Sequence, residues 1–391
     1  MHPFRKHRLS PSLARFAALF AVAALAACDA ATNPTAVRTP SAARGAQAAE
    51  ADEGDGGPGI GKLSIMTYNI YQGTELQNSI AATTPFGFLV GVAQDFAMMH
   101  QTNFAERANA IAAEIDAARP DLVGMQEVAL WRTAPHTSPA TPATTVDQDF
   151  LAMLHAALRA RGLHYATVSR VENFDVQGPG LFPTGLVDVR LTDSDVIIAR
   201  TDAGDDEDGG RALSLSNPQS SNFATNLHIT TAVGPVTVLE GWASIDVATR
   251  GGPVRFITTH LDAFAPPIRL AQANEILHGP ANTSLPVILA GDLNTTSVTD
   301  TYAAISAAGF GDVWAGLHPS EAGFTCCQAL PAIMNPVSVL YERVDLMLVR
   351  GALSPHRIEQ VGATPDTRTP SGLWPSDHAG LVARFKIMKA D

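Results

Sequence analysis

The sequence predicts an α+β fold in which packed β-sheets are flanked by helices. Three observations support this prediction. Apolar, β-branched segments outnumber segments with helical spacing. Some of these strands are joined by a tight turn, as at 250–253, and others by a helix, so both types of strand connection occur. The 391 residues, 46% of them hydrophobic, are enough to bury such a core.

The individual elements follow from the spacing of apolar residues. Runs that are apolar on both faces, or bounded by turn residues, predict strands at 63–70, 121–127, 196–200, 236–239, 242–247, 254–260, 287–290, 344–349 and 380–387. Apolar residues three and four apart predict helices at 104–115, 150–161, 268–277 and 302–308. The turn at 250–253 predicts that the strands on either side of it pair antiparallel.

Two segments, 73–103 and 172–193, are interpreted as long insertions. The first contains an apolar run at 84–92, close to the first strand. This run is either a lid that contacts a membrane or substrate, or a helix packed on the core, and the second interpretation is favoured.

Composition excludes several classes of protein. A net charge of −12 argues against a protein that binds nucleic acid non-specifically, because such binding needs excess positive charge. Three cysteines cannot form a disulfide scaffold, and no Cys/His spacing is typical of a structural zinc site. The hydrophobic content also excludes a disordered chain. The remaining class is a globular protein, most simply an enzyme.

The amino terminus has the pattern of a secretory signal. Four basic residues, Arg5, Lys6, Arg8 and Arg15, come before or within an apolar segment that ends in Leu-Ala-Ala-Cys at Cys28. This ending resembles the lipobox of bacterial lipoproteins, which are cleaved before the cysteine and acylated on it. A plain secretory signal with an incidental cysteine is the alternative. Removal of residues 1–27 would change the net charge from −12 to −16, because four positive charges are lost.

The resulting domain organisation has three parts. Residues 1–27 are the lipoprotein-type signal peptide, residues 28–61 a disordered tether, and residues 62–391 the catalytic domain. The tether is rich in Ala, Thr, Pro, Gly and acidic residues, and it has no apolar period with which to form a core. A lipid anchor on Cys28 would place the protein in the bacterial cell envelope, facing the periplasm or the exterior. We expect a monomer.

Polar side chains occur where the predicted strands end. Each strand stays apolar until its last residues and then presents a carboxylate, an amide or an imidazole. The residues in this position are Asn69, Glu127, His260, Asp292 and Asn294, and Asp345, Asp377 and His378 lie in or just before two later strands. Strand ends are rigid and share the edge of a sheet, so we expect these side chains to converge.

Taken singly, each of these residues has a structural explanation. Asn69 fits a turn, Glu127 a surface position, and His260 a buried histidine with satisfied hydrogen bonds. Asp345 is different, because a carboxylate within an apolar strand is costly unless it is paired, and a histidine is its expected partner. The order of the whole set along the chain predicts a function, although no single residue of the set does so alone.

Six short motifs carry that order: TYNI (67–70), MQE (125–127), THLD (259–262), GDLN (291–294), RVD (343–345) and SDH (376–378). This series resembles the endonuclease/exonuclease/phosphatase superfamily, and within it the deoxyribonuclease-like and sphingomyelinase-like phosphoesterases. The resemblance extends over nearly the whole chain from Leu63 to Phe385. It implies a four-layer α/β/β/α sandwich of two packed mixed β-sheets flanked by helices, with the active site at one rim of the sheets.

The resemblance also implies a metal site. Glu127 resembles the main Mg²⁺ ligand of the superfamily, with Asn69 beside it. Asp377 stands where family members have a further carboxylate on the metal side. The expected cofactor is Mg²⁺, with Mn²⁺ or another divalent cation as the alternative. Glu and Asn oxygens suit such hard cations.

The remaining motif residues resemble catalytic groups. Asp292 resembles the residue that activates or orients the attacking water, and Asn294 resembles its phosphate-binding neighbour. His378 resembles the histidine next to the scissile phosphate, with Asp345 orienting its ring. His260 resembles the second histidine of the deoxyribonuclease and sphingomyelinase branches. Together these groups provide an acid, a base and an orienting carboxylate for phosphoester hydrolysis.

The expected reaction is Mg²⁺-dependent attack of water on a phosphodiester, in a nucleic acid or a phospholipid headgroup. Two alternatives remain. One is a phosphomonoesterase of the inositol phosphatase type, and the other is a binding protein that keeps the fold without catalysis. The sequence does not decide between the substrate classes, because the motifs report the reaction centre and not the group around the phosphate.

Two further features remain open. Asp193 and Asp195 precede a predicted strand, and they either orient His260 or lie at the surface. Cys326 and Cys327 are adjacent, and we interpret them as structural rather than metal-binding, because no third soft ligand is near them in the sequence.

Overall fold

A computed structural model describes residues 61–138, 140–202 and 213–388 of the chain. The predicted signal peptide and all but the last residue of the predicted tether lie outside the described residues, so both stay predictions. The first strand already begins at Gly61, one residue before the predicted start of the domain. No helix among the described residues is long and apolar enough to cross a membrane.

The first sheet has eight strands, in the order β15-β16-β1-β2-β6-β3-β4, and β5 pairs with β6. Its strands are β1 (Gly61–Asn69), β2 (Leu122–Gln126), β3 (Leu130–Pro135), β4 (Thr145–Asp149), β5 (Tyr165–Phe182), β6 (Gly185–Arg200), β15 (Leu353–Val361) and β16 (Gly380–Ile387). Within it β1 and β2 run parallel, and β16 lies antiparallel to β1. The carboxyl ends of β1 and β2 therefore meet at one edge.

The second sheet has six strands, in the order β13-β14-β12-β11-β10-β7. Its strands are β7 (Ser214–Asn222), β10 (Gly241–Thr249), β11 (Gly252–His260), β12 (Val287–Asp292), β13 (Gly311–Asp312) and β14 (Asp345–Arg350), and a separate hairpin joins β8 (Leu227–Thr231) to β9 (Gly234–Val238). As predicted from the turn at 250–253, β10 and β11 pair antiparallel. In contrast, β11 and β12 are parallel, so this sheet is mixed.

Helices cover the outer faces of the two sheets. They are α1 (Gln77–Ile80), α2 (Pro85–Gln101), α3 (Phe104–Ala118), α4 (Phe150–Ala160), α5 (Pro266–His278), α6 (Asp300–Ala307) and α7 (Val313–Leu317). Residues of α3 and α4 share a buried cluster with the first sheet, and residues of α5 and α6 share another with the second sheet. The predicted α+β sandwich of two mixed sheets flanked by helices is confirmed.

The alternation of side chains along β1 shows how the layers form. Ile65 belongs to the buried cluster between the two sheets, whereas Met66 and Tyr68 belong to the cluster under α3. Successive residues of a strand point to opposite faces, so a strand between two apolar layers must be apolar at both parities. This explains why the apolar run at 63–70 predicted a strand that is buried on both faces.

The segments interpreted as insertions are regular structure. Residues 172–193 lie in the long hairpin of β5 and β6, and most of 73–103 lies in α1 and α2. A side chain added at Gly178 or Gly180 of β5 would meet Phe88 or Val92 of α2, so this helix packs closely on the sheet. The apolar run at 84–92 therefore has the structure of a helix packed on the core, with Phe86 at its exposed start.

Glu114 on α3 makes stability depend on pH. It is buried against the first sheet, beside the hydroxyl group of Tyr68. Burial raises the pKa of Glu114 from 4.5 to about 8. Its contribution to stability is therefore present below pH 4.5 and is lost as the pH rises through about 8.

We expect Glu114→Gln to unfold at higher urea than the wild type at pH 8.5, and to show little difference at pH 4.5. The gain at high pH should reach about 3 to 5 kcal/mol, since one pKa unit corresponds to about 1.4 kcal/mol. Urea unfolding at both pH values measures it. Asp116→Asn, at a half-exposed position of the same helix, is the control and should leave the pH dependence unchanged. Equal pH dependence in Glu114→Gln and wild type would contradict this explanation.

Candidate active site

The predicted site residues come together at one edge of both sheets. Asn69 is the last residue of β1, and Glu127 directly follows β2, the parallel neighbour of β1. His260 and Asp292 are the last residues of β11 and β12 and face each other in the parallel register, and Asp345 faces Asp292 across the antiparallel pair of β12 and β14. The register of the strands therefore determines which side chains are neighbours.

Asn69 joins the two sheets. Its side-chain Nδ2 donates to Glu127 Oε1 at 2.8 Å and to Asp292 Oδ2 at 3.1 Å, while its Oδ1 accepts from the backbone N–H of Tyr71 at 3.0 Å. Asn69 is completely buried. In this arrangement the amide presents its N–H groups, and not its oxygen, to the two carboxylates. Asn69 thus holds Glu127 and Asp292 in place.

Asp292 lies between the two histidines. Its Oδ2 is 3.5 Å from His260 Nε2 and 3.7 Å from His378 Nε2. Its Oδ1 accepts from the backbone N–H of Asn294 at 2.9 Å. Burial opposes the charged form of Asp292, but the charges of the two histidines outweigh it and lower the pKa of this carboxyl group. Asp292 is therefore ionised at neutral pH.

His378 is held by Asp345, as predicted. Its Nδ1 lies 2.7 Å from Asp345 Oδ2, and Asp345 is completely buried. Asp377 Oδ2 is 4.0 Å from the other ring nitrogen of His378. Burial opposes protonation of His378, but the charges of Asp345, Asp377 and Asp292 raise its pKa well above 6.5. The ring is therefore a proton donor in its resting state.

His260 has a different environment. Its Nε2 lies 3.0 Å from the side-chain amide of Asn294, whose Nδ2 donates to the carbonyl of Leu261. Burial opposes the charged form, but nearby carboxylates, first Asp292 and then Glu240, raise the pKa of His260 to about 10. Asp193 and Asp195 are buried and do not lie at the surface, and Asp195 Oδ2 accepts from the backbone N–H of His260 at 2.9 Å, not from its ring. Among the described residues, Nδ1 of the His260 ring has no hydrogen-bond partner.

The backbone is strained at two of these positions. Glu127 and Asn294 have φ angles of 59° and 47°, in the left-handed region that residues other than glycine rarely adopt. Glu127 directly follows β2, and Asn294 lies two residues beyond the end of β12. Such strain persists only where the surroundings fix the conformation, and it is concentrated at functional sites. Both residues carry side chains of the candidate site.

Several contributors to the site were not predicted from the sequence. Arg107 of α3 is buried and donates to the backbone carbonyls of Ile70, Tyr71 and Pro375, next to Asn69 on one side and the SDH motif on the other. The only signal for it in the sequence is a cation in the apolar stripe of a helix. Glu75 is a second addition, because desolvation and the negative charges of Asp377 and Glu127 raise the pKa of its carboxyl group.

The donors of this site fit a divalent cation. Four carboxylates, Glu127, Asp292, Asp345 and Asp377, surround two histidines, and Asp292, Asp345 and His378 each offer a ligand atom within 4.8 Å of the others. Asp345 Oδ1 is buried and has no hydrogen-bond partner among the described residues. Burial raises the pKa of Asp377 to about 6, and the negative charge of Glu127 adds to this effect. A divalent cation would relieve this accumulation of negative charge.

Comparisons with known proteins agree with the geometry. A sequence model described as the Endonuclease/Exonuclease/phosphatase family matches residues 66–378. The endonuclease/exonuclease/phosphatase of Beutenbergia cavernae has a similar structure, with a TM-score of 0.50 and 19% identity, over 84% of this chain and 72% of that one. A family protein of Bacteroides thetaiotaomicron gives a TM-score of 0.51 and 15% identity over 83% and 98% of the two chains.

A mannosyl-6-phosphatase of Bacteroides thetaiotaomicron is also similar, with a TM-score of 0.50 and 16% identity over 83% of this chain and 99% of that one. No curated protein matches the sequence. At these identities the solved structures establish the fold alone. The sequence match covers most of the chain, and all six motifs lie within it. Members of the matched family hydrolyse phosphoesters with divalent metal ions. The chain belongs to the endonuclease/exonuclease/phosphatase family.

Proposed function

We propose that this chain is a divalent-metal-dependent phosphodiesterase that acts on phospholipid headgroups. One observation supports the reaction most strongly. The ionised carboxylate of Asp292 lies 3.5 Å from His260 and 3.7 Å from His378, at the junction of the two sheets. A carboxylate base between two protonated imidazoles can activate a water molecule and bind an anionic phosphate at the same point.

The metal site is proposed at Glu127, with Asp377 and Asn69 beside it. Glu127 Oε2 accepts from the backbone N–H of Gln72 at 2.8 Å, which fixes the direction of its carboxylate. Mg²⁺ is the cation that these oxygens suit, with Mn²⁺ as the alternative. When bound, such a cation stabilises negative charge on the phosphate oxygens during attack. Asn69 reaches the cation with its oxygen only if its amide turns from the orientation described above.

The remaining residues carry the proton transfers. Asp292 orients the attacking water and accepts its proton, since it is the carboxylate whose ionised form is favoured. His378 donates a proton to the leaving oxygen, and Asp345 keeps its ring in the orientation for this transfer. Asn294 and the charged ring of His260 bind the non-bridging oxygens of the phosphate. Each role requires only the protonation state that the surroundings of the residue favour.

The surroundings of the site favour an apolar substrate. Four exposed apolar side chains, here called the apolar rim, lie in loops next to the catalytic motifs: Phe264, Val298, Phe324 and Tyr341, which are 75%, 89%, 44% and 60% exposed. Phe264 lies four residues after His260, and Val298 lies four residues after Asn294. Phe324 and Tyr341 lie in the segment before Asp345. The net charge of −12 disfavours a polyanion, whereas exposed aromatic and aliphatic residues suit a lipid surface.

A panel of substrates tests this proposal. Sphingomyelin, phosphatidylcholine, plasmid DNA, RNA and inositol phosphates are incubated with the full chain in Mg²⁺, and again in EDTA. We expect release of phosphorylated headgroup from at least one lipid in Mg²⁺, and none in EDTA. Cleavage of DNA or RNA alone would exclude the lipid substrate and keep the reaction. Equal turnover in EDTA would exclude the metal, and hydrolysis of inositol phosphates alone would assign a phosphomonoesterase.

A further inference from the structure

The adjacent cysteines lie beside a catalytic histidine. The two sulfur atoms of Cys326 and Cys327 and one ring nitrogen of His378 are all within 4.8 Å of one another. In the sequence His378 is about fifty residues away, which is why the pair was interpreted as structural. The fold therefore supplies the third soft ligand that the sequence did not show. Together the three side chains form a Cys₂His group.

The cysteine segment is fixed on both of its sides. The backbone N–H of Ala379 donates to Thr325 O, and that of Gln328 donates to Asp377 O, both at 2.7 Å. On the opposite side Cys326 and Glu342 exchange two backbone hydrogen bonds of 2.9 Å. The sulfur atoms consequently stay next to His378. Cys326 is buried and Cys327 is half-buried, so the pair is reached from the side of Cys327.

We propose that Cys326, Cys327 and His378 bind a thiophilic divalent cation, such as Zn²⁺ or Cd²⁺, when the cysteines are reduced. Thiolate and imidazole ligands select these cations over Mg²⁺, which prefers oxygen. The two sulfurs are joined as a disulfide in the structure. A phosphine or dithiol reductant supplies two electrons, and with two protons it converts the disulfide to two thiols. The cation then replaces both thiol protons and forms two metal–sulfur bonds.

This site and the phosphodiesterase site share His378. The same ring contacts Asp345 and lies near Asp292, so a cation bound to it and to both sulfurs takes it away from proton transfer. Binding of the thiophilic cation therefore inhibits hydrolysis. This inhibition rests on the proposed function, whereas the binding of the cation does not.

Cadmium binding tests the site directly. The full chain with Cys28→Ser, which leaves Cys326 and Cys327 as its two cysteines, is reduced with a phosphine and titrated with Cd²⁺ in excess Mg²⁺. We expect one Cd²⁺ per chain, detected by the ultraviolet thiolate-to-cadmium charge-transfer band. Loss of one ligand should weaken Cd²⁺ binding by about 10–100-fold in Cys327→Ser and in His378→Ala. Thermal unfolding confirms that each variant is folded.

The outcomes are distinct. No band in the reduced protein overturns the site, and an unchanged Cd²⁺ affinity in His378→Ala overturns the role of the histidine. In a parallel assay, Cd²⁺ should inhibit turnover of bis(p-nitrophenyl) phosphate in the reduced protein and not in Cys327→Ser, which should keep its basal activity. A band with undiminished turnover overturns the inhibition. If the chain has no phosphodiesterase activity, the proposed function fails, and the band still reports on the cation site.

Discussion

Asp292→Asn is expected to lower kcat for phosphodiester hydrolysis by about 10²–10⁴-fold, the range typical of general acid–base assistance. The amide has nearly the shape of the carboxylate and can still accept a hydrogen bond from the backbone of Asn294. It cannot take a proton from water, and it carries no charge to hold His260 and His378 in their protonated forms. The loss should therefore appear in kcat more than in KM.

The control for this variant is Asp246→Asn. Asp246 is a buried carboxylate of the same sheet, paired with Arg255 at 2.7 Å, and it lies towards the end of the β10–β11 pair opposite His260. It should retain the kcat of the wild type. Circular dichroism and urea unfolding confirm that both variants are folded. An unchanged kcat in Asp292→Asn would remove this residue from the reaction.

Arg107→Met is expected to lower the free energy of unfolding by about 3–5 kcal/mol, as other removals of buried charged partners do. Four backbone carbonyls, those of Ile70, Tyr71, Thr102 and Pro375, accept hydrogen bonds from this guanidinium at 2.7 to 3.2 Å. Methionine fills a similar volume but leaves these carbonyls without a donor. Burial lowers the pKa of Arg107 to about 10, so the group remains charged at neutral pH.

The same variant should lower activity even under conditions where it is folded. The carbonyls that Arg107 binds belong to the segments next to Asn69 and before Asp377 and His378, so their loosening displaces both sides of the site. Arg107→Lys should be intermediate, because a single ammonium cannot reach all four carbonyls in the fork geometry of a guanidinium. Arg119→Met, at the exposed end of the same helix, should change stability by no more than about 0.5 kcal/mol. Wild-type stability and turnover in Arg107→Met would contradict this role.

The parts of the fold predicted from the sequence are those whose signal is local. Strands β1, β11 and β12 are mainly apolar and end in a polar residue, and this pattern identified both the strands and the side chains at their ends. By contrast, β7 has the sequence SLSNPQSSN and is exposed along most of its length, so its composition is that of a loop. In β5, Gly178, Pro179 and Gly180 are residues typical of turns. This part of the long hairpin was therefore interpreted as an insertion.

The site residues were likewise predictable where their signal is local in the sequence, and not where it depends on the fold. A histidine was expected beside Asp345 because a buried carboxylate within a strand needs a partner, and the resemblance to the family identified that histidine as His378. Contacts that depend on the fold alone were not predicted: the carbonyls around Arg107 and the approach of the cysteine pair to His378. None of these leaves a periodic or compositional trace, because each joins segments that are distant in the chain.

The central claim is that this edge of the two sheets hydrolyses phosphodiesters with a divalent cation. Its most direct test is the rate of p-nitrophenol release from bis(p-nitrophenyl) phosphate as a function of Mg²⁺ concentration, for the wild type, Glu127→Gln and His378→Ala. We predict a saturable Mg²⁺ dependence in the wild type, abolished by EDTA, with both variants inactive at all Mg²⁺ concentrations. Metal-dependent turnover at the wild-type rate in both variants would contradict the claim.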